Sequence, residues 1–344
     1  MQPLVSILIP ACNSGPWIAQ TLESALAQTG IRKEIIVVDD GSTDSTVERV
    51  RAFAGRGVTL RTQARRGAAA ARNHAFQLSG GDYIQWLDSD DLLAPGKIER
   101  QVRAIEQSGS DLTLASAAYA HFLYRTSVAK PKPTPLWANL PPVEFLVRAF
   151  ENNVYMGTPS WLVSRNLALA AGEWDTRLTM DDDGEYFCRV VLASRRVEFV
   201  PEARVYYRRR GNSLSALGAS RAKMDSQWLS LRLQIEHLLT REDSERTRRA
   251  AVRYLQHFVL CFHPERPDLL SQAKELARRL GGELGPPQIA RKYALIQRTL
   301  GWAAAKQCQA RYNALKHGAL RFVDRSLLWV EALAARKPSC KKPI

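Results

Sequence analysis

No stretch of this chain approaches eighteen consecutive apolar residues, so the sequence contains no run long enough to cross a bilayer as a helix. Cysteine is sparse: Cys12, Cys188, Cys261, Cys308 and Cys340 lie far apart and show no CxxC spacing. That argues against a zinc site or a disulfide framework and for a reducing compartment. Acid is in deficit, with 34 Asp and Glu against 49 Lys and Arg, a formal net charge of +15. A surplus of this size calls for an anionic partner, and nucleic acid, acidic lipid or a phosphate-rich small molecule would each qualify. There is no fixed internal repeat. The opening MQPLVSILIPACNSG lacks the basic start of a signal peptide, and its short apolar run stops at Pro10, so it reads as a first strand. What the chain does have is an ordinary apolar content of 45%, enough for a packed core.

The first 118 residues alternate short apolar runs with helical spacing. Residues 5–9 (VSILI) and 34–38 (EIIVV) are continuous apolar runs, as expected of strands buried on both faces. Residues 58–62, 82–87 and 111–116 read as further strands, and helices are expected over 16–28, from Thr43 or Asp44 onward, over 67–78 and over 95–107. Repeated strand–helix alternation predicts right-handed crossovers and a largely parallel sheet. Five prolines between 119 and 142 predict a loop excursion or edge hairpin, with sheet-like material resuming at 160–163. A short helix over 181–194 and strands over 197–200 and 204–208 complete this half, expected as one domain over 1–218. Residues 219–344 form a helical region, with amphipathic stretches at 222–240, 244–262, 268–280 and 287–335 and a frayed end.

In open α/β sheets ligands bind beyond the carboxyl ends of the strands. Here those positions hold Pro10, Ala11 and Asn13, then Asp39–Asp40–Gly41–Ser42, then Asp88–Ser89–Asp90–Asp91. Carboxylates gathered at strand ends ask for a cation or a hydrogen-bonding ligand. DSDD with diphosphate oxygens suits Mg²⁺ or Mn²⁺, although an acidic turn capping the next helix has the same sequence. Asp40 likewise suits an Asx-turn, and the DDDGE run at 181–185 an acidic helix start favoured by the macrodipole.

Four motifs in this order resemble inverting family 2 glycosyltransferases of the GT-A fold. They are residues 5–13, VVDDGSTDST at 37–46, GAAAARN at 67–73 and YIQWLDSDD at 83–91, and the likeness continues through TPSW at 158–161 and DDDGEYFCRV at 181–190. The resemblance implies that Pro10, Ala11 and Asn13 line a base pocket, that Asp40 meets the pyrimidine and that Arg72 lies over or beside the base. It further implies that Asp88 meets the ribose, that Ser89 belongs to the same donor-binding set and that Asp90 binds the Mg²⁺ or Mn²⁺ bridging the donor diphosphate. Asp183 is the implied catalytic base with Asp182 beside it, and the register among Asp181, Asp182 and Asp183 stays open. A UDP-linked sugar is favoured because Asp40 suits the imide edge of uracil, although dTDP fits the same contact. The acceptor is expected to be a glycan or lipid-linked hydroxyl in cell-surface polysaccharide synthesis.

Other features carry paired readings. Arg208–Arg210 with Gly211–Ser213 suits a basic segment closing over a diphosphate, or an exposed basic turn. Trp161 suits a buried aromatic or a sugar platform, and His74 a surface or packing residue. The basic helices after 220 suit either a solvated face or an anionic membrane surface, so the expected location is cytoplasmic, with a peripheral place on the inner membrane face left open. Two other functions compete. A sugar-phosphate nucleotidyltransferase would want a Gly-rich basic signature after strand one, where ACNSG stands. A nucleic-acid binder would want basic residues interleaved with aromatics, whereas here they scatter and nucleic acid is not expected as a partner.

Overall fold

A computed structural model describes residues 2–210 and 220–335. The core is a five-stranded sheet built from β1 (Leu4–Ala11), β2 (Arg32–Asp40), β3 (Val58–Gln63), β4 (Tyr83–Trp86) and a short later strand, Val163–Ser164. Its order is β3-β2-β1-β4 followed by that strand, parallel throughout except at this last edge. Helices α1 (Ile18–Leu26), α2 (Thr46–Arg51) and α3 (Ala68–Gln77) make the crossovers. Val5, Ile7, Leu8 and Ile9 have no exposed surface, as two-sided burial of β1 requires.

A second, three-stranded sheet leans on the first. Its members are β5 (Leu92–Leu93), β6 (Thr113–Phe122) and β8 (Arg196–Arg208), in the order β5-β8-β6, once Val163–Ser164 is numbered β7. Helix α4 (Lys97–Gln107) covers this junction, and Lys97 is buried there with its Nζ donating to Gln85 Oε1 and to the Trp161 carbonyl.

The expected elements between 1 and 118 are present, with ends shifted by a few residues. Later ones need correction. The loop expected from 119 begins as strand, because β6 runs to Phe122 against β8. The two strands expected at 197–200 and 204–208 are one, since a register shift opposite Ala117/Ala118 absorbs the proline-containing step between them. At 160–163 only Val163 is strand, after a 3₁₀ turn over Thr158–Ser160. Helices α5 (Pro142–Asn152) and α6 (Arg165–Ala171) were not expected.

Helix α7 (Asp182–Ala193) leads to β8, and α8 (Arg221–Arg241), α9 (Glu245–Phe262), α10 (Pro267–Arg279) and α11 (Ala294–Ala335) follow. Trp228, Leu231, Ile235, Leu255 and Phe262 belong to the same buried cluster as the sheet. The helices α8 to α10 therefore extend the core rather than forming a separate one. The boundary expected at 218/219 lies outside the described residues.

Candidate active site

The loops leaving β2, β1 and β4 are stitched into one ledge. Asn13, in the left-handed region at φ 49, accepts from the Thr43 N–H through Oδ1 (2.8 Å). Its own N–H donates to Ser42 Oγ (2.9 Å). On the other flank the Ser14 and Ser89 hydroxyls lie 2.6 Å apart. Pro10 and Ala11 are buried at the end of β1 beneath this ledge, and Cys12 has its thiol proton held more tightly by burial. The Asx-turn belongs to Asp39, whose carboxylate accepts from the Ser42 N–H (3.0 Å). Asp40 ties in the chain ahead of α3 instead: it accepts from Gln63 Nε2 and from the N–H groups of Arg66 and Gly67, each at 2.8 Å. Gly67 sits at φ 95, a conformation that side chains rarely adopt.

Arg72 joins motifs far apart in sequence. Buried on α3, it donates to Asp88 (2.8 Å) after β4 and to Asp182 (2.6 Å) at the start of α7. Its guanidinium also lies over the Trp174 ring, 4.2 Å from the centroid, and Trp174 stacks on Tyr186. Burial alone would lower its pKa; Asp182 and Asp88 outweigh that and raise it. The arginine expected over or beside a base is thus engaged with two carboxylates.

The three consecutive acids have different partners. Asp181, at φ 58, directs its carboxylate into α8, where Gln227 (3.0 Å), Ser230 (2.8 Å) and Gln234 (2.9 Å) donate to it. Burial still pushes its pKa up to about 6. Asp182 is held by Arg72. Asp183 has only the Thr158 hydroxyl at 3.4 Å and the Gly184 N–H at 3.1 Å. Burial first, then the charges of Asp182 and Asp181, raise it to about 7, with Arg72 opposing. A side chain at Gly184 would collide with the Asp181 carboxylate, which accounts for glycine there.

At the other end of the ledge Asp90 pairs with Arg210 (2.5 Å), and burial raises it to about 6 against that cation. Asp91 is fully enclosed; it accepts from the Arg208 N–H (2.7 Å), leaves Oδ2 without a partner and is pushed well above the usual range by burial and by Asp90. Arg208 is itself buried, donating to the carbonyls of Asp90 (2.7 Å) and Leu123 (2.9 Å) and to Gln20 (2.7 Å). It is a fixed strut of β8, unlike the flexible segment expected at 208–213; residues 211–213 lie outside the described residues.

Tyr207 was missed in the sequence. Burial, then Asp91, Asp88 and Asp183, raise its pKa, so one phenol lies among carboxylates from both ends of the site. An aromatic in a strand carries no local signal of this. Thr158, beside Asp183, was quoted within a motif but given no role. Trp161 is buried against Phe145 and Phe187, which excludes it as a sugar platform, and His74 packs with Nδ1 2.9 Å from Gln63. A cleft of about 890 Å³ between α8 and α10 lacks the convergence of strand-end carboxylates found at the ledge.

Comparison with known proteins bears on the family and the fold. Residues 6–168 match the model of glycosyl transferase family 2. The glycosyltransferase GlyG of Streptococcus pneumoniae is 34% identical over 119 residues, 34% of this chain and 40% of that protein. The chondroitin synthase of Escherichia coli is 40% identical over 115 residues, 33% of this chain and 16% of that protein. The chain therefore spans less than half the length of these curated relatives. A crystal structure of S. aureus TarS 1–349 in complex with UDP-GlcNAc superposes with a TM-score of 0.64 over 81% of each chain, at 18% identity, a likeness of fold. Residues 6–168, just under half of the chain, accordingly resemble a glycosyltransferase family 2 domain, set in a GT-A-like architecture.

Proposed function

We propose that the chain transfers a sugar, with inversion, from a nucleoside-diphosphate donor to a hydroxyl of a glycan or lipid-linked acceptor. One observation carries this reading: a single buried guanidinium, Arg72, joins the carboxylate that follows β4 to the acidic start of α7. Donor-binding and proton-accepting groups thereby share one rigid frame, as a direct displacement at the anomeric carbon requires.

The roles follow from the partners. Asp183 accepts only long hydrogen bonds from neutral donors and has a pKa near neutrality, so it suits a general base that takes the acceptor's proton. Asp181 and Asp182, each committed to a partner, hold α7 and Arg72 in place. Asp40 with Pro10, Ala11 and Asn13 edges the pocket proposed for the base, and Asp88 with Ser89 the ribose. Asp40 already accepts three hydrogen bonds, leaving it one lone-pair direction for a uracil imide.

The fit to a divalent cation rests on Asp88, Asp90 and Asp91. Asp88, Asp90 and Asp91 share one turn, and Asp91 Oδ2 is buried without a partner. Among the described residues no group of three or more His, Cys, Asp or Glu side chains is gathered to hold a metal, so donor oxygens would have to supply most of the shell. Asp90 would hold the Mg²⁺ or Mn²⁺, which when bound neutralises charge on the departing nucleoside diphosphate. Arg210, now on Asp90, is placed to pass to a phosphate oxygen.

We assign this chemistry to a catalytic unit over 1–218, with 219–344 as its helical support. A role in cell-surface polysaccharide synthesis and a peripheral place at the membrane fit the sugar-transferring relatives and the basic helices. No described helix is long and apolar enough to cross a membrane. The test is a thermal-shift series of nucleoside diphosphates with and without Mn²⁺, followed by donor turnover. UDP is expected to raise Tm only with the metal, and turnover to stop with EDTA and return with Mn²⁺. A shift by no nucleotide, or turnover indifferent to EDTA, would remove the donor or metal assignment respectively.

A further inference from the structure

Beyond Arg311, helix α11 carries its acids on one side and its most exposed apolar side chains on the other, with Leu320, Leu327 and Leu328 less exposed beside the acids. Asp324 and Glu331, seven residues apart, are its only acids. Both point to the rest of the protein: Asp324 accepts from the N–H groups of Tyr124 (2.9 Å) and Arg125 (3.2 Å) and from Arg125 Nε (2.7 Å), and Glu331 pairs with Arg125 (2.7 Å). At about 100° per residue, Leu315, Phe322, Trp329 and Leu333 fall on the opposite side, with Val323 and Val330 adjoining. These are well exposed, Phe322 at 74%, Trp329 at 65% and Leu315 at 76%. Exposed Arg311, Lys316 and Arg325 flank the apolar stripe, and the sequence continues with Arg336, Lys337, Lys341 and Lys342.

We propose that this outward face of α11 lies in the surface of an anionic bilayer, its apolar side chains below the headgroups and its flanking cations among them. Charge decides between occupants. A second copy packed on the stripe would oppose cations to cations with no acid on that face to pair them, whereas acidic headgroups complement them. Docking through residues 123–125 also sets the helix beside the site. Leu123 bonds Arg208, which bonds the Asp90 carbonyl, and Tyr124 packs on Trp17 (5.6 Å), in the turn between β1 and α1. The inference deepens the proposed function in one respect, since it places the ledge where a lipid-linked acceptor would be met.

The full chain is sedimented with phosphatidylcholine vesicles alone or mixed with phosphatidylglycerol, at low and high salt. Binding is expected to favour the anionic vesicles by at least about tenfold and to weaken with salt. Phe322→Glu with Trp329→Glu is expected to abolish it, while far-UV circular dichroism and Tm stay near those of the parent. No binding at low salt overturns the proposal, and so does binding that the double variant leaves unchanged. A concentration-dependent dimer in the ultracentrifuge, broken by the same variant and without vesicle binding, overturns it in favour of a second copy. Release of nucleoside diphosphate from a soluble donor is read separately, so failure of the membrane face and failure of the transferase reading are distinguishable.

Discussion

At the scale of single residues, the consecutive acids at the start of α7 separate by what each one touches. Asp183→Asn keeps the shape and removes the proposed base, so kcat is expected to fall by about a thousandfold or more while the fold survives. In the parent enzyme the base must be unprotonated. Activity is therefore expected to rise with pH and level off above about 7, the value to which burial and its two acidic neighbours bring Asp183. A pH–rate profile checks both points, and a plateau extending down to pH ~5 would remove Asp183 from this role. Arg72 differs because it serves two carboxylates at once. Arg72→Met is expected to cost about 2–3 kcal/mol in urea unfolding, less than for a closed pair because Asp88 and Asp182 keep some contact with water.

At the scale of elements, helices remote in sequence hold the site in place. Helix α8 gives Asp181 three hydrogen bonds and so holds the left-handed residue from which α7 starts. Helix α11 is attached at Lys306, which donates to the His263 carbonyl and pairs with Glu265, and at Asp324, which satisfies two backbone N–H groups of the turn after β6. Asp324→Ala strands those donors and is expected to cost about 1–3 kcal/mol. Hydrogen exchange resolves where: Tyr124 and Arg125 should lose protection while β1 and β2 keep theirs. Uniform protection across the variant would mean that α11 is held elsewhere.

At the scale of the whole molecule, the site puts strain on the fold at neutral pH. Asp181 and Asp183 bind protons more tightly when folded, with values of about 6 and about 7. The unfolded chain has the ordinary value of about 4. Their contribution is complete below that value and is lost as pH rises through the folded ones. Tm is thus expected to be higher at pH ~5 than at pH ~7.5, and Asp183→Asn to flatten that slope. Exposed acids held low by neighbours, Glu242 and Asp268 at about 2, act only in more acidic solution and leave this window clear. A melting series showing Tm flat or rising across the window would contradict the assignment.

Much of this was legible in the chain itself. The two-sided apolar runs at β1 and β2, the helical spacing between strands and the acids after β2 and β4 are local patterns, and local sterics and burial specify them. They determined the parallel sheet, the family likeness and the edge for which the chemistry is proposed. Pairing across the molecule was not legible. That β8 is one strand, that Arg72 binds both Asp88 and Asp182, and that α8 and not solvent receives Asp181 each depend on partners tens of residues away. The tertiary structure alone decided these, because a hydrogen bond or an ion pair is fixed by distance in space, and the order of residues along the chain does not carry it.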